Sequence, residues 1–307
     1  MATRVQNPQV VLSTSGDRGV PERTADYHVI IGDSRRMGEL ADSSVHLVVT
    51  SPPYPMVGIW DDFFREESAQ SYDEMHRYLY QTWKEVKRVL VPGGFACVNI
   101  GDATRTKDGI FHLYPNHSRV IESFEQLGLV TLPYVLWKKP TTKPRYRGKG
   151  AFLGSGFLPP NAYVTLDMEY ILIFRKGSLR AFEPKDPQRY KSKFTKRERD
   201  EWFSQVWTVT GARQTHRGLE RRVAAFPEEI PRRLIRMFSI EGDLVLDPFL
   251  GSGTTLKAAM ELSRRFIGYE KLEDFSGIIR ERMGHESERI FFQKQSVVEQ
   301  ISSPLAA

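Results

Sequence analysis

Short apolar runs rich in β-branched residues recur along the chain, and stretches with helical spacing separate them. His28–Gly32 and Val45–Thr50 are the first two runs, and both predict buried strands. Ser71-Tyr-Asp-Glu74 has the spacing of a capping box. It predicts a helix with Met75, Tyr78, Leu79, Val86 and Leu90 on one face, ended by Pro92-Gly93-Gly94. Phe95–Ile100 then reads as a strand and Asn116–Leu127 as a helix. Thr131–Trp137 and Glu169–Phe174 read as strands on either side of a basic loop rich in glycine and proline. Further on, Pro227–Phe238 predicts a helix with proline near its first turn. Leu244–Asp247 is a strand, Thr254–Leu262 a helix and Phe266–Glu270 a strand. This alternation predicts an α/β fold with a doubly wound, mostly parallel sheet. Residues 1–26 form an irregular lead-in, and the last 20 residues read as a weakly ordered tail.

Composition narrows the class. Of 307 residues 40% are apolar, enough for a sizeable core. No apolar run reaches the 18 or so residues that a membrane span needs, and Met1–Pro21 lacks the apolar stretch of a signal peptide. We therefore expect a soluble cytoplasmic protein and no association with membrane. The single cysteine, Cys97, excludes an internal disulfide and a zinc knuckle, and no metal site is expected.

The net charge of +6 is unevenly placed. Between Arg175 and Arg222 stand 14 basic and 6 acidic residues, and Lys138–Lys149 holds six basic residues and no acid. Concentrated positive charge suits a polyanion, because each neutralised phosphate releases counterions. A plain solvated face is the other reading of such a run.

Two turns carry the candidate chemistry. Asp247-Pro-Phe-Leu-Gly-Ser-Gly-Thr-Thr255 follows a strand and opens a helix. Its glycines let a ligand approach the backbone, and the helix start offers free N–H groups. A P-loop needs lysine after its last glycine, and here Thr254 follows Gly253, which argues against a nucleoside triphosphate. Glu270 closes the next strand, about 20 residues on, where an acid suits ribose hydroxyls. The second turn is Thr50-Ser-Pro-Pro-Tyr54. Its prolines remove two backbone donors and hold the chain extended. Ser51 and the Pro52 carbonyl are placed to accept from an amine, beside the ring of Tyr54. Each turn, taken alone, is also compatible with a purely structural role. Both leave the carboxyl end of a strand, where open α/β sheets bind ligands, so we expect them to share one pocket.

At these residues the chain resembles the amino-methylating DNA methyltransferases. The order, catalytic motif first and cofactor motif last, matches the permuted β subgroup of restriction–modification systems, over roughly residues 28–275. The stretches 137–140, 169–175 and 216–227 resemble further conserved regions of that family, although His216 reads equally as a loop residue. The resemblance implies a seven-stranded methyltransferase sheet and S-adenosylmethionine as cofactor. It divides the chain into a catalytic half at 27–176, a small basic target-recognition segment at 177–206, a cofactor half at 207–286 and a tail at 287–307. Ser51, Pro52, Pro53 and Tyr54 would be catalytic. Asp247, Pro248, Phe249, Gly251, Ser252, Gly253 and Thr254 would bind the cofactor, with Glu270 on its ribose, Asp33 on its adenine and Pro227 packed against it. Lys143, Arg145, Arg147, Lys149, Arg189, Lys191 and Lys193 are the expected contacts to double-stranded DNA. A cognate restriction endonuclease acting on the same site, without a stable complex, is a further implied partner.

The implied reaction is direct methyl transfer to an exocyclic amine of a base turned out of the duplex. Methylation at cytosine C5 needs a thiolate nucleophile, and Cys97 lies inside an apolar strand, where it reads as a packed core thiol. Serine in place of an acid at position 51 resembles the cytosine-N4 members; adenine N6 is the alternative. An inactive DNA-binding relative, and an enzyme acting on RNA or protein, are the remaining readings.

Overall fold

The computed structural model describes residues 26–140, 164, 166–211 and 225–295. Among the described residues nine strands form one sheet in the order β11-β1-β10-β9-β2-β3-β7-β6-β8. The seven predicted strands are all present in it. They are β1 (Tyr27–Ile31), β2 (Val45–Thr50), β3 (Leu90–Ile100), β6 (Val130–Lys138), β7 (Met168–Arg175), β9 (Leu244–Asp247) and β10 (Arg265–Glu270). Only β7 runs antiparallel to its neighbours. A separate hairpin pairs β4 (Ala103–Lys107) with β5 (Ile110–Tyr114).

Two edge strands correct the expected seven. β8 (Val206–Thr208) joins the outer side of β6, and β11 (Ile290–Lys294) pairs with β1. β8 has only three residues, too few to show a period. β11 lies inside the stretch read as a weakly ordered tail, where its few apolar residues are surrounded by charge. A second correction concerns Pro92-Gly93-Gly94. These residues do not separate helix from strand. Helix α2 (Tyr72–Val89) gives way to β3 already at Leu90. The three residues form an irregularity in β3, where Val45 pairs with Leu90 but Leu47 pairs with Phe95.

Helices cover both faces. α2 begins at the predicted capping box: the Glu74 N–H donates to Ser71 Oγ (3.3 Å) and the Ser71 N–H to Glu74 Oε2 (2.8 Å). Its apolar stripe, with that of α3 (Asn116–Gln126), packs on one face of the sheet, around Trp83, Phe124 and Phe174. α6 (Glu229–Phe238), α7 (Thr254–Glu261) and α8 (Phe275–Met283) cover the other face through Ile230, Leu234, Leu256 and Ile279. Neighbouring residues along the strands part between the two layers: Leu246 of β9 joins the first and Val245 the second. Cys97 is fully buried in the second layer, as expected of a packed thiol. No helix among the described residues is long and apolar enough to cross a membrane.

The segment 177–206 holds structure that its charge hid. α4 (Pro187–Lys191) starts at an Asp186 cap, and α5 (Lys196–Trp202) starts at a capping box of Thr195 and Glu198. α5 is tied to α6 by Glu198–Arg236 (3.0 Å) and Glu201–Arg233 (2.8 Å).

Trp83 is fully buried against Phe124 and Phe249, with ring centroids 5.2 and 6.0 Å away. Trp83→Ala is expected to lower the unfolding free energy by about 3–5 kcal/mol in urea denaturation, the cost of emptying a large aromatic site in a packed core.

Candidate active site

The winding of the sheet creates the site. From β9 the chain passes through α7 to β10, on one side; from β2 it passes through α2 to β3, on the other. β9 and β2 lie side by side, so the two outgoing turns part at the switch point of the sheet. Between them opens a cavity walled by Asp33, Ser51, Pro53, Asp247–Ser252, Thr254 and Glu270. Aromatic groups complete it: Trp60, Phe63, Tyr78, Phe226 and Phe275. The two turns singled out in the sequence therefore share one pocket.

A buried carboxylate joins them. Asp247 Oδ1 accepts from Thr50 Oγ1 (2.7 Å) and the Phe249 N–H (3.1 Å), and Oδ2 accepts from Thr255 Oγ1 (2.7 Å). Burial pushes its pKa up to about 6, against the opposing pull of these hydrogen bonds. Glu270 clamps the same loop: it accepts from the Gly251 N–H (2.8 Å) and the Leu272 N–H (2.9 Å). Gly253 stands at φ +83° where the loop enters α7, a conformation that glycine adopts without strain. Asp33 faces the cavity with its carboxylate gripped by the Arg35 guanidinium (2.5–3.0 Å). Burial would raise the Asp33 carboxyl, but the Arg35 hydrogen bonds outweigh it and hold the pKa low. Lys271 and Glu67 extend this cluster along the rim.

The wall also offers unmatched polar groups. Thr254 Oγ1 and Trp60 Nε1 are buried without a hydrogen-bond partner among the described residues. A buried donor left unpaired costs free energy that a bound polar ligand recovers. Aromatic rings, a glycine loop at a helix start, the carboxylates of Asp33, Asp247 and Glu270 and two unmatched donors suit a flat nucleoside carrying a polar chain.

Several expected residues lie elsewhere. Pro52 and Tyr54 are buried and do not line the cavity. The Tyr54 ring is therefore not exposed as a stacking surface, because three polar partners draw its hydroxyl inward: Ser51 Oγ (3.1 Å), Asn99 Nδ2 (2.7 Å) and Glu169 Oε2 (3.0 Å). At Gly101 a Cβ would meet this ring at 3.1 Å, so the close packing depends on glycine there. Gly253 faces Met283 of α8, away from the wall, and in place of Pro227 the wall takes Ala225 and Phe226 just before it. Arg189, Lys191 and Lys193 are exposed, but they belong to a segment docked at the opposite end of the sheet. There Arg180 pairs with Asp243 (2.6 Å), and Gln188 donates to the Glu241 carbonyl (2.6 Å), both ahead of β9. Lys143, Arg145, Arg147, Lys149 and His216 lie outside the described residues.

A DNA methylase family profile matches residues 45–281. The chain belongs to the DNA methylase family. This DNA methylase is 59% identical over 290 residues to the Type II methyltransferase M.MjaI of Methanocaldococcus jannaschii, covering 87% of this chain and 94% of that one. It is 46% identical over 275 residues to M.MthZI of Methanothermobacter thermautotrophicus, covering 84% and 76%. Among solved structures it resembles a Thermus thermophilus protein described as a putative DNA modification methylase complexed with S-adenosyl-L-methionine. That match has a TM-score of 0.68 and 31% identity, over 88% of this chain and 99% of that one. The fold is also that of the cytosine-N4-specific PvuII DNA methyltransferase, at TM-score 0.59 and 21% identity over 82% and 85%.

Sequence reasoning missed Asn99, Lys139 and Glu169, which stand behind Ser51. Two of them left a trace: Asn99 is a polar residue inside a buried strand, and Glu169 stands at the head of an apolar one. Their partners are distant in sequence, so the trace gave no role.

Asp247 binds its proton more tightly in the folded protein, at about 6, than in the unfolded chain, near 4. This contribution favours the folded state below pH 4 and is lost as pH rises through 6. Between pH 4 and 7 the stability of the wild type relative to Asp247→Asn should fall by about 3 kcal/mol in urea denaturation. A difference that does not change with pH would refute the shift.

Proposed function

We propose that this DNA methylase transfers a methyl group from S-adenosylmethionine to the N4 amine of cytosine at a specific site in duplex DNA. The observation that carries the reading is the common wall: Ser51 and the loop 247–254 face one cavity at the switch point. S-adenosylmethionine supplies a methyl group activated by a positively charged sulfur. Asp247, Phe249, Gly251, Ser252 and Thr254, with Glu270 and Asp33, are the residues that would hold it. The buried Asp247 carboxylate is costly in its ionised form, and a positively charged ligand nearby relieves that cost.

Ser51 acts on the base. An exocyclic amine is conjugated with its ring and weakly nucleophilic. Accepting a hydrogen bond from it draws its lone pair out of conjugation. No covalent intermediate is needed, so positioning supplies most of the acceleration. Cytosine N4 is preferred because position 51 is serine and not an acid. The target base leaves the stack to reach the cavity, and the rings that line the wall, rather than Tyr54, offer it apolar contact.

DNA approaches from the carboxyl ends of the strands. Lys138 and Lys139 leave β6 at that end and open the basic stretch that continues through Lys143, Arg145, Arg147 and Lys149. This stretch suits phosphate contact better than Arg189, Lys191 and Lys193, which stand at the far end.

The deciding experiment is nucleoside analysis of DNA from a methylation-free host expressing the chain, with mapping of the modified sites. N4-methylcytosine in one sequence context is expected. N6-methyladenine alone would overturn the choice of base, and unmodified DNA would overturn the activity. Ser51→Ala should lower single-turnover methylation by about 10²-fold, as for loss of one transition-state hydrogen bond. Its affinity for S-adenosylmethionine, read by calorimetry, should stay within about twofold.

A further inference from the structure

A line of polar groups runs from Ser51 along the carboxyl edge of the sheet, past β3 and β7, to Lys139 beyond β6. Tyr54 Oη accepts from Ser51 Oγ (3.1 Å) and from Asn99 Nδ2 (2.7 Å), and donates to Glu169 Oε2 (3.0 Å). The Asn99 amide also donates to Glu169 Oε2 (2.8 Å). Lys139 pairs with the other oxygen, Glu169 Oε1. Among these residues only Ser51 lines the cavity.

An ionised carboxylate accepts hydrogen bonds and donates none. At the end of the line away from the cavity, Glu169 sets the direction of every bond before it. Asn99 must present its amide nitrogen, since its carbonyl oxygen would face a negative charge. Tyr54 Oη then holds two incoming hydrogens, and its own hydrogen has one destination, Glu169. The Ser51 hydrogen is drawn toward Tyr54 and away from the cavity, leaving the lone pairs of Oγ for a ligand. Burial, and then the charge of Glu169, raise the Tyr54 phenol well above its ordinary range, so it stays a neutral donor.

We propose that Glu169 is a positioning residue that, through Tyr54, locks Ser51 as a hydrogen-bond acceptor and thereby makes the pocket select an amino group over a keto group. A serine free to rotate would donate to the keto oxygen of uracil or hypoxanthine as readily as it accepts from an amine. Locked as an acceptor, it meets a keto oxygen lone pair to lone pair. The proposal rests on the reading that Ser51 faces the target base.

The test compares duplexes carrying the mapped target base with duplexes carrying its keto counterpart, uracil for cytosine or hypoxanthine for adenine. Binding is read by fluorescence polarisation with the wild type, Glu169→Gln, Tyr54→Phe and the double variant. The wild type should prefer the amino base, and each variant should narrow that preference by roughly tenfold, the worth of one buried hydrogen bond. Single-turnover methylation should fall by about 10²-fold in each, and the double variant should be no slower than either single, because both act through one line. Affinity for S-adenosylmethionine and the melting temperature identify variants that have kept their fold. A folded Glu169→Gln with undiminished preference and rate overturns the proposal. Should that variant fail to fold, Tyr54→Phe, of nearly equal volume, decides by the same two readings. A wild type that methylates no DNA removes the reading of Ser51 itself, a result seen before any variant is made.

Discussion

The hydrogen bond from Thr50 to Asp247 ties the structure to its chemistry. It spans the two strands at which the sheet changes its direction of winding. A right-handed crossover carries each chain away from that seam toward opposite faces. The turns after β2 and β9 consequently have no neighbour across the gap, and a ligand can enter between them. Asp247 joins the two sides: one oxygen is held by Thr50 at the end of β2 and by its own loop, the other by the start of α7. The charge it buries is destabilising on its own, and three donors offset part of that cost.

Polar groups are arranged in depth around this seam. Most of the surface of the cavity wall is apolar, and a donor or acceptor set among apolar groups counts for more. Behind the turn after β2, Tyr54, Asn99, Glu169 and Lys139 connect strands β3, β6 and β7 to Ser51. The rigidity of the sheet is thus passed to a single hydroxyl. At the rim, Asp33, Arg35, Glu67 and Lys271 pair among themselves, which keeps the entrance polar while its charge is balanced.

Charge elsewhere serves the fold as much as any partner. The basic run after Arg175 looks in sequence like a surface for a polyanion, yet part of it is used internally. Arg180 holds the turn before β9, and Lys176 donates to the Leu90 carbonyl at the start of β3. A count of charge along a chain does not distinguish a side chain facing phosphate from one facing a carboxylate far along the sequence. Only their placement on the two ends of the sheet separates Lys138 and Lys139 from the basic residues around Arg189.

Most of the architecture was legible in the chain because it depends on local rules. Buried strands read as apolar runs, the capping box at Ser71 marks α2, and proline and glycine mark the turns that carry the chemistry. The pairing of the two motifs was legible as well, since both leave strand ends that an open sheet brings together. β8 and β11 were not, because a short edge strand gains its stability from one neighbour and leaves no period. The inward course of the Tyr54 hydroxyl, the line to Glu169 and the far placement of Arg189 were also decided only in three dimensions. The Tyr54 contacts join residues 45 and 115 positions apart, and their free energy appears only when the sheet has assembled. Residue types and turns follow from sequence, but the direction in which a buried hydroxyl donates follows from the packing around it.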